Sequence, residues 1–207
     1  MGFPKLIAPF AGATLLDRAL DAAIGSTADV VCVVTGAYQD RMAPLLSRRG
    51  ALGRESVNLR AHELPPSQTK HVLTSVHNCS WETGQASSVK AAVQFARDCG
   101  CSAVLMFVAD QPFVQARHLN ALINEYRKNK IPLCITSTTC ACGNPCLFDE
   151  SFFDALLMLK GDEGARVLVR TFPNSAVCRM FFDEPHLLDD ADTPEDFIRL
   201  EKAVLNG

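Results

Sequence analysis

The sequence predicts an α/β protein: a mainly parallel sheet with helices on both faces. Two observations carry this. Short, continuously apolar runs, such as Asp29–Thr35 (DVVCVVT) and Ser102–Ala109 (SAVLMFVA), read as strands buried on both faces. Between such runs lie segments of helical periodicity with marked ends, and this alternation implies parallel strands joined by helical crossovers.

In chain order, a loop leads to a helix capped by Thr14, with Leu15, Leu16, Ala19, Leu20 and Ala23 inward and Gly25 as its stop. The first strand is Asp29–Thr35. From Leu46 to Lys70, the run of Arg48, Arg49, Gly50, Gly53, Pro65 and Pro66 marks a polar surface excursion. A second strand covers Val72–Val76. Ser87 or Ser88 opens a helix using Val89, Ala92, Val93 and Ala96, which stops near Gly100. The third strand, Ser102–Ala109, precedes a helix from Gln115 to Lys128 with Leu119, Leu122, Ile123 and Tyr126 inward. A strand at Ile131–Ser137 follows, then a helix closing through Leu156–Leu159 at Gly161. The alternating strand Ala176–Phe182 belongs near a sheet edge. The last helix has Thr193 as cap, Pro194 at its first position and Asp196 at the capping-box position. No strand precedes Asp29, so the first buried strand of the sheet is missing.

At 207 residues the chain suits one domain over 1–207, given roughly 150 residues per domain. Hydrophobic residues at 48% and charged residues at 21% exclude a disordered chain. With 20 basic and 23 acidic residues the net charge is −3; no basic stripe exists, which argues against a nucleic-acid partner. Nine cysteines, an odd number, fit free thiols in a reducing cytoplasm better than a disulfide scaffold. The amino terminus lacks a secretory pattern, and no apolar run approaches the ~20 residues of a membrane helix. The expected setting is cytoplasmic, away from membranes.

In α/β sheets ligands bind beyond the carboxyl ends of the strands, so the polar residues there matter most. Asp110-Gln111-Pro112 follows a buried strand; on its own, this is equally a turn. Asp190 and Asp192 precede the last helix, and Asp192 lies outside its cap. Asp110 and Asp192, if brought together, would suit Mg²⁺, which takes one or two carboxylates plus phosphate oxygens and water. Lys5 sits in a loop marked by Gly2 and Pro4, and its charge suits a triphosphate. Gly84 to Ser88 precede a helix, where ordinary capping or anion binding would each explain them. Cys134, Cys140, Cys142 and Cys146 lack zinc-ribbon spacing and an accompanying histidine, so buried thiols are the simpler reading. No nucleophile elbow, P-loop or dinucleotide fingerprint is present.

The ordered set resembles the MobA-like NTP transferases, specifically those similar to molybdenum cofactor cytidylyltransferase. The residues that carry the likeness are Met1 to Leu6, Pro9, Gly12, Thr14-Leu15-Leu16, Val34-Thr35-Gly36, Val76-His77-Asn78, Gly84 with Ser87-Ser88, and Asp110-Gln111-Pro112. They continue through Gly143-Asn144-Pro145, Gly161 to Arg166, and Asp190 to Asp196. The resemblance implies a Rossmann-like nucleotidyltransferase fold and transfer of CMP from CTP to the phosphate of molybdopterin, with pyrophosphate released. It also implies that Lys5 and Asp110 are catalytic and that Asp110 and Asp192 hold Mg²⁺. Lys5, Thr35, Gly36, Gly84 and Ser88 would bind the nucleotide; Gly143, Asn144, Pro145, Asp162 and Arg166 would bind the acceptor. Asn144 stands where close relatives often carry histidine. The family begins with a strand and a glycine-rich phosphate loop that this sequence lacks, which implies reduced stability and little catalysis by residues 1–207. Two alternatives stay open: another acceptor or GTP as donor on the same fold, and a non-catalytic carrier that hands molybdopterin to a molybdenum hydroxylase.

Overall fold

The computed structural model describes residues 4–51, 72–172 and 177–206. A 3-10 turn at Lys5–Ile7 leads into a small hairpin, β1 (Pro9–Phe10) and β2 (Ala13–Thr14). Its tip residues, Ala11 and Gly12, have φ of 46° and 80°, the left-handed geometry that suits a two-residue hairpin. A short strand pair therefore does precede Asp29, although it is not a core strand. Thr14 caps α1 (Leu15–Ile24), its hydroxyl accepting from the Asp17 N–H at 3.0 Å.

Strands β3 (Val30–Thr35) and β4 (Val72–His77) pair in parallel. Between them lies α2 (Gln39–Arg48), which buries Met42, Leu45 and Leu46. The surface excursion thus starts later than Leu46; Pro44 inside the helix hid its pattern. The rest of that excursion, residues 52–71, lies outside the described residues. Next comes α3 (Gln85–Asp98), with Gly84 at its N-cap, so it starts earlier than the expected Ser87 or Ser88.

The third predicted strand is shorter than its apolar run. β5 (Ala103–Met106) pairs with β7 (Cys142–Asp149) as far as Met106 and Cys146, and the next position on β7 is Pro145, which has no N–H to give. After α4 (Ala116–Asn129) and β6 (Leu133–Ser137) the chain returns directly as β7, then forms α5 (Phe153–Leu157), α6 (Arg166–Thr171), β8 (Cys178–Phe181) and α7 (Pro194–Asn206). Helix α5 ends before the expected Leu159, and α6 was not anticipated.

The larger sheet has the order β5-β7-β6-β8, with β8 at an edge as expected. β7 runs antiparallel to both neighbours, so the sheet is mixed and not mainly parallel. The link from β6 to β7 is only residues 138–141, too short for a parallel crossover. Gly143-Asn144-Pro145, turn-like in composition, sits within β7: Ile135 pairs with Cys146 and Thr136 with Gly143, which pushes Asn144 and Pro145 out of the ladder. The Asn144–Pro145 peptide is cis.

Alternation along the strands sorts the core. Leu133, Ile135, Cys146 and Phe148 face α3 and α5, while Cys134 and Leu147 face Leu122, Ile123 and Tyr126 of α4. Among the described residues β3 pairs only with β4, and β5 only with β7. The two pieces share one layer: α3 packs on β3, β4 and β5, while Leu16 and Leu20 of α1 cluster with Val31, Val33 and Phe107. No described helix is long and apolar enough to cross a membrane.

Candidate active site

The chain leaving β5 meets the chain entering α7. The Ala191 N–H donates to the Asp110 carbonyl at 3.0 Å, and this bond sets Asp110 beside Asp192. The Lys5 ammonium donates to Asp110 Oδ2 at 2.7 Å, to Asp192 Oδ1 at 3.0 Å and to the Ala191 carbonyl at 3.0 Å. All three of its donors are used.

Lys5 is held there because the hairpin docks on α7. Phe10 is fully buried, edge-on to Phe197 with ring centroids 5.0 Å apart. The Ala11 N–H donates to Glu201 Oε1 at 2.8 Å, and Arg18 Nη2 donates to the Ala11 carbonyl at 3.1 Å. Partial burial works against the Lys5 charge. The hydrogen bond and charge of Asp110, then those of Asp192, outweigh it and hold the ammonium above the ordinary lysine range.

Among the described residues, Asp110 Oδ1 is buried without a hydrogen-bond partner, as is Oε1 of neighbouring Gln111. A third carboxyl, Asp190, is raised above the usual carboxylate range by burial first and then by Asp110; Asp192 adds to this, while a Gln111 hydrogen bond and Arg166 oppose it. The Asp192 side chain is 70% exposed and that of Asp110 20%, so one carboxylate faces solvent and the other the protein. An orphaned buried oxygen beside a solvent-facing carboxylate suits Mg²⁺, which accepts two carboxylates and leaves its other positions to phosphate and water. Among the described residues no three His, Cys, Asp or Glu side chains are grouped to hold a metal.

The other expected residues form a second, internally tied group. Thr35 is buried, its hydroxyl 3.1 Å from Gln39 Oε1, and it lines a cleft of about 160 Å³ with Ser47 and Ser75. Its carbonyl accepts from the Asn78 N–H at 2.7 Å. Asn78 Nδ2 in turn donates to Ser87 Oγ at 2.7 Å and Ser88 Oγ at 3.0 Å, linking the end of β4 to the first turn of α3. Gly36 backs onto Trp81. Gly84 adopts φ +108°, and a Cβ there would lie 2.3 Å from the Gly161 carbonyl oxygen and 2.7 Å from Asp162 Oδ1. The Ala86 N–H donates to that same carbonyl at 3.0 Å. Asp162, expected on the acceptor side, therefore abuts Gly84, expected on the nucleotide side. Arg166 lies over Gly143, whose Cβ would stand 3.1 Å from its Nη1, and its charge reaches Asp190.

Sequence reasoning gave Asp190, Gln111 and Asn78 no role. Asn78 was detectable by the signal that singled out Asp110, a polar residue directly after a buried strand. The four cysteines separate: Cys134 and Cys146 are buried, Cys140 and Cys142 exposed. Burial first of all pushes the Cys134 and Cys146 thiols up to about 12, which keeps them protonated.

Comparison with known proteins now decides the family. Residues 1–177 match the MobA-like NTP transferase domain. The chain belongs to this family. It is 30% identical to the purine catabolism protein PucB of Bacillus subtilis (strain 168) over 205 residues, 99% of this chain and 91% of that protein. Solved structures share the fold. Rv0371c of Mycobacterium tuberculosis H37Rv, in complex with manganese, superposes with a TM-score of 0.67 at 22% identity, over 97% of this chain and 93% of that one. The molybdopterin-guanine dinucleotide biosynthesis protein A of Archaeoglobus fulgidus gives 0.63 at 18% identity, over 100% and 93%. The protein is a nucleotidyltransferase of α/β fold with mixed sheets.

Proposed function

We propose that this nucleotidyltransferase moves CMP from CTP to the terminal phosphate of molybdopterin, the product being destined for a molybdenum hydroxylase. A phosphate oxygen of the acceptor bonds to the α-phosphorus of CTP, the α–β phosphoanhydride bond breaks, and pyrophosphate leaves. The acceptor oxygen is already ionised near neutral pH, so no strong general base is needed. The difficulty is that two anions must approach.

The observation that carries this reading is the convergence of Asp110 and Asp192 on a single cationic group. In the proposed roles, Asp110 and Asp192 hold Mg²⁺, which when bound would offset phosphate charge and stabilise the departing pyrophosphate. The manganese complex of Rv0371c supports a divalent ion in this fold. Lys5 is assigned to the triphosphate. Thr35, Gly36, Gly84 and Ser88 are assigned to the nucleotide, with Asn78 positioning Ser88. Gly143, Asn144, Pro145 and Asp162 are assigned to the acceptor, with Arg166 supplying positive charge.

The test is a single-turnover reaction with CTP, Mg²⁺ and molybdopterin, reading the cytosine dinucleotide and pyrophosphate, with GTP run in parallel. Asp110→Asn is expected to lower the rate about a hundredfold or more. Product formation indifferent to both that substitution and chelation of the metal would overturn the assignment. Faster product formation with GTP would overturn the choice of CTP.

A further inference from the structure

The position of the Lys5 ammonium has a consequence for how the metal enters. We infer that Lys5 is a resident cation, competing with the divalent ion for the Asp110–Asp192 pair, so that metal binds well only together with a nucleotide triphosphate that draws the ammonium away. This rests on the nucleotidyltransferase reading above.

The ammonium contacts one oxygen of each carboxylate and also the backbone carbonyl between them. Its hydrogen-bonding capacity is saturated. A divalent ion held by the same two carboxylates would face a positive charge at very short range, and such charges repel strongly where solvent screening is partial. The two occupants therefore exclude one another.

The lysine can leave because its anchor stays put. The hairpin behind it is fixed by Phe10 on Phe197 and by Ala11 on Glu201. The side chain itself is a flexible four-carbon stem and is partly exposed at 23%. A triphosphate offers the ammonium new acceptors, and it brings oxygens that complete the coordination of Mg²⁺. One movement thus serves both ligands. A lysine that holds the pair nine-tenths of the time lowers the apparent metal affinity about tenfold. By linkage, nucleotide and metal then raise each other's affinity.

The experiment measures Mn²⁺ binding by electron paramagnetic resonance of the free ion, without and with CTP. The chains compared are the wild type, Lys5→Gln, Lys5→Met, and each of these with Asp110→Asn. Without nucleotide, Lys5→Gln and Lys5→Met are expected to bind Mn²⁺ about tenfold tighter than the wild type. Adding Asp110→Asn should abolish that gain, and CTP should improve Mn²⁺ binding less in the Lys5 variants than in the wild type. Asp110-dependent binding that is unchanged or weaker in both Lys5 variants overturns the competition while leaving the carboxylate pair as the metal site. Absence of any Asp110-dependent Mn²⁺ binding, with or without CTP, overturns the site itself and the competition with it.

Discussion

Gly84 shows how a single position joins distant parts of the chain. Its φ of +108° is a conformation that side chains rarely adopt, and the space a methyl would need is taken by the Gly161 carbonyl. Gly84→Ala is therefore expected to destabilise the protein by at least about 2 kcal/mol. Urea unfolding checks this: the midpoint should fall with the slope unchanged, and an unshifted midpoint would contradict the packing. The sequence marked Gly84 as the residue before a helix. Its partner was not legible, since nothing local in Gly161 or Asp162 points 77 residues back. Asp110 and Asp192 differ in this respect. Each stood out by its place after a strand or before a helix, and only their meeting around Lys5 needed the structure.

At the scale of elements, α4 shows what apolar periodicity leaves out. Leu119, Leu122, Ile123 and Tyr126 were read correctly as its inward face, yet the wholly buried His118 was passed over because apolar periodicity counts only apolar side chains. Nδ1 accepts from the Gln115 N–H at 2.9 Å, which leaves the proton of the neutral ring on Nε2, 3.2 Å from Glu184 Oε1 and 3.0 Å from Arg117 Nε. Burial, the dominant influence, lowers the pKa of this ring despite the nearby Glu184. The sign follows from linkage: the unfolded chain takes up a proton near pH 6.5, whereas the folded ring does so only at lower pH. His118 thus costs no stability above that point, and stability falls as pH drops from about 6.5 toward the folded value. His118→Gln is expected to lower stability at pH 8 by about 1–3 kcal/mol while flattening the decline below about pH 6.5. Urea unfolding across pH checks both, and an unaltered slope would contradict the neutral buried ring.

At the scale of the whole molecule, composition and alternation were enough for an α/β architecture and for the terminal helix with its capping box. They were not enough for β7. Glycine and proline read locally as a turn, and only the neighbouring strands reveal that Asn144 and Pro145 are a bulge inside a ladder. Strand direction was misjudged for the same reason, because a hairpin link of a few residues reverses the chain where a helix would not. Among the described residues the β3–β4 pair and the larger sheet are separate, which the order of elements along the chain did not reveal. What spans the molecule at the site is the Ala191–Asp110 backbone bond, which brings two carboxylates 82 residues apart onto one cationic group. A double-mutant cycle on the affinity for Mn²⁺ in the presence of CTP, using Asp110→Asn, Asp192→Asn and the pair, tests this most directly. If both carboxylates serve one ion, the double variant should lose little more than the worse single variant, with a coupling of at least about 1 kcal/mol; losses that simply add would mean that they serve different partners.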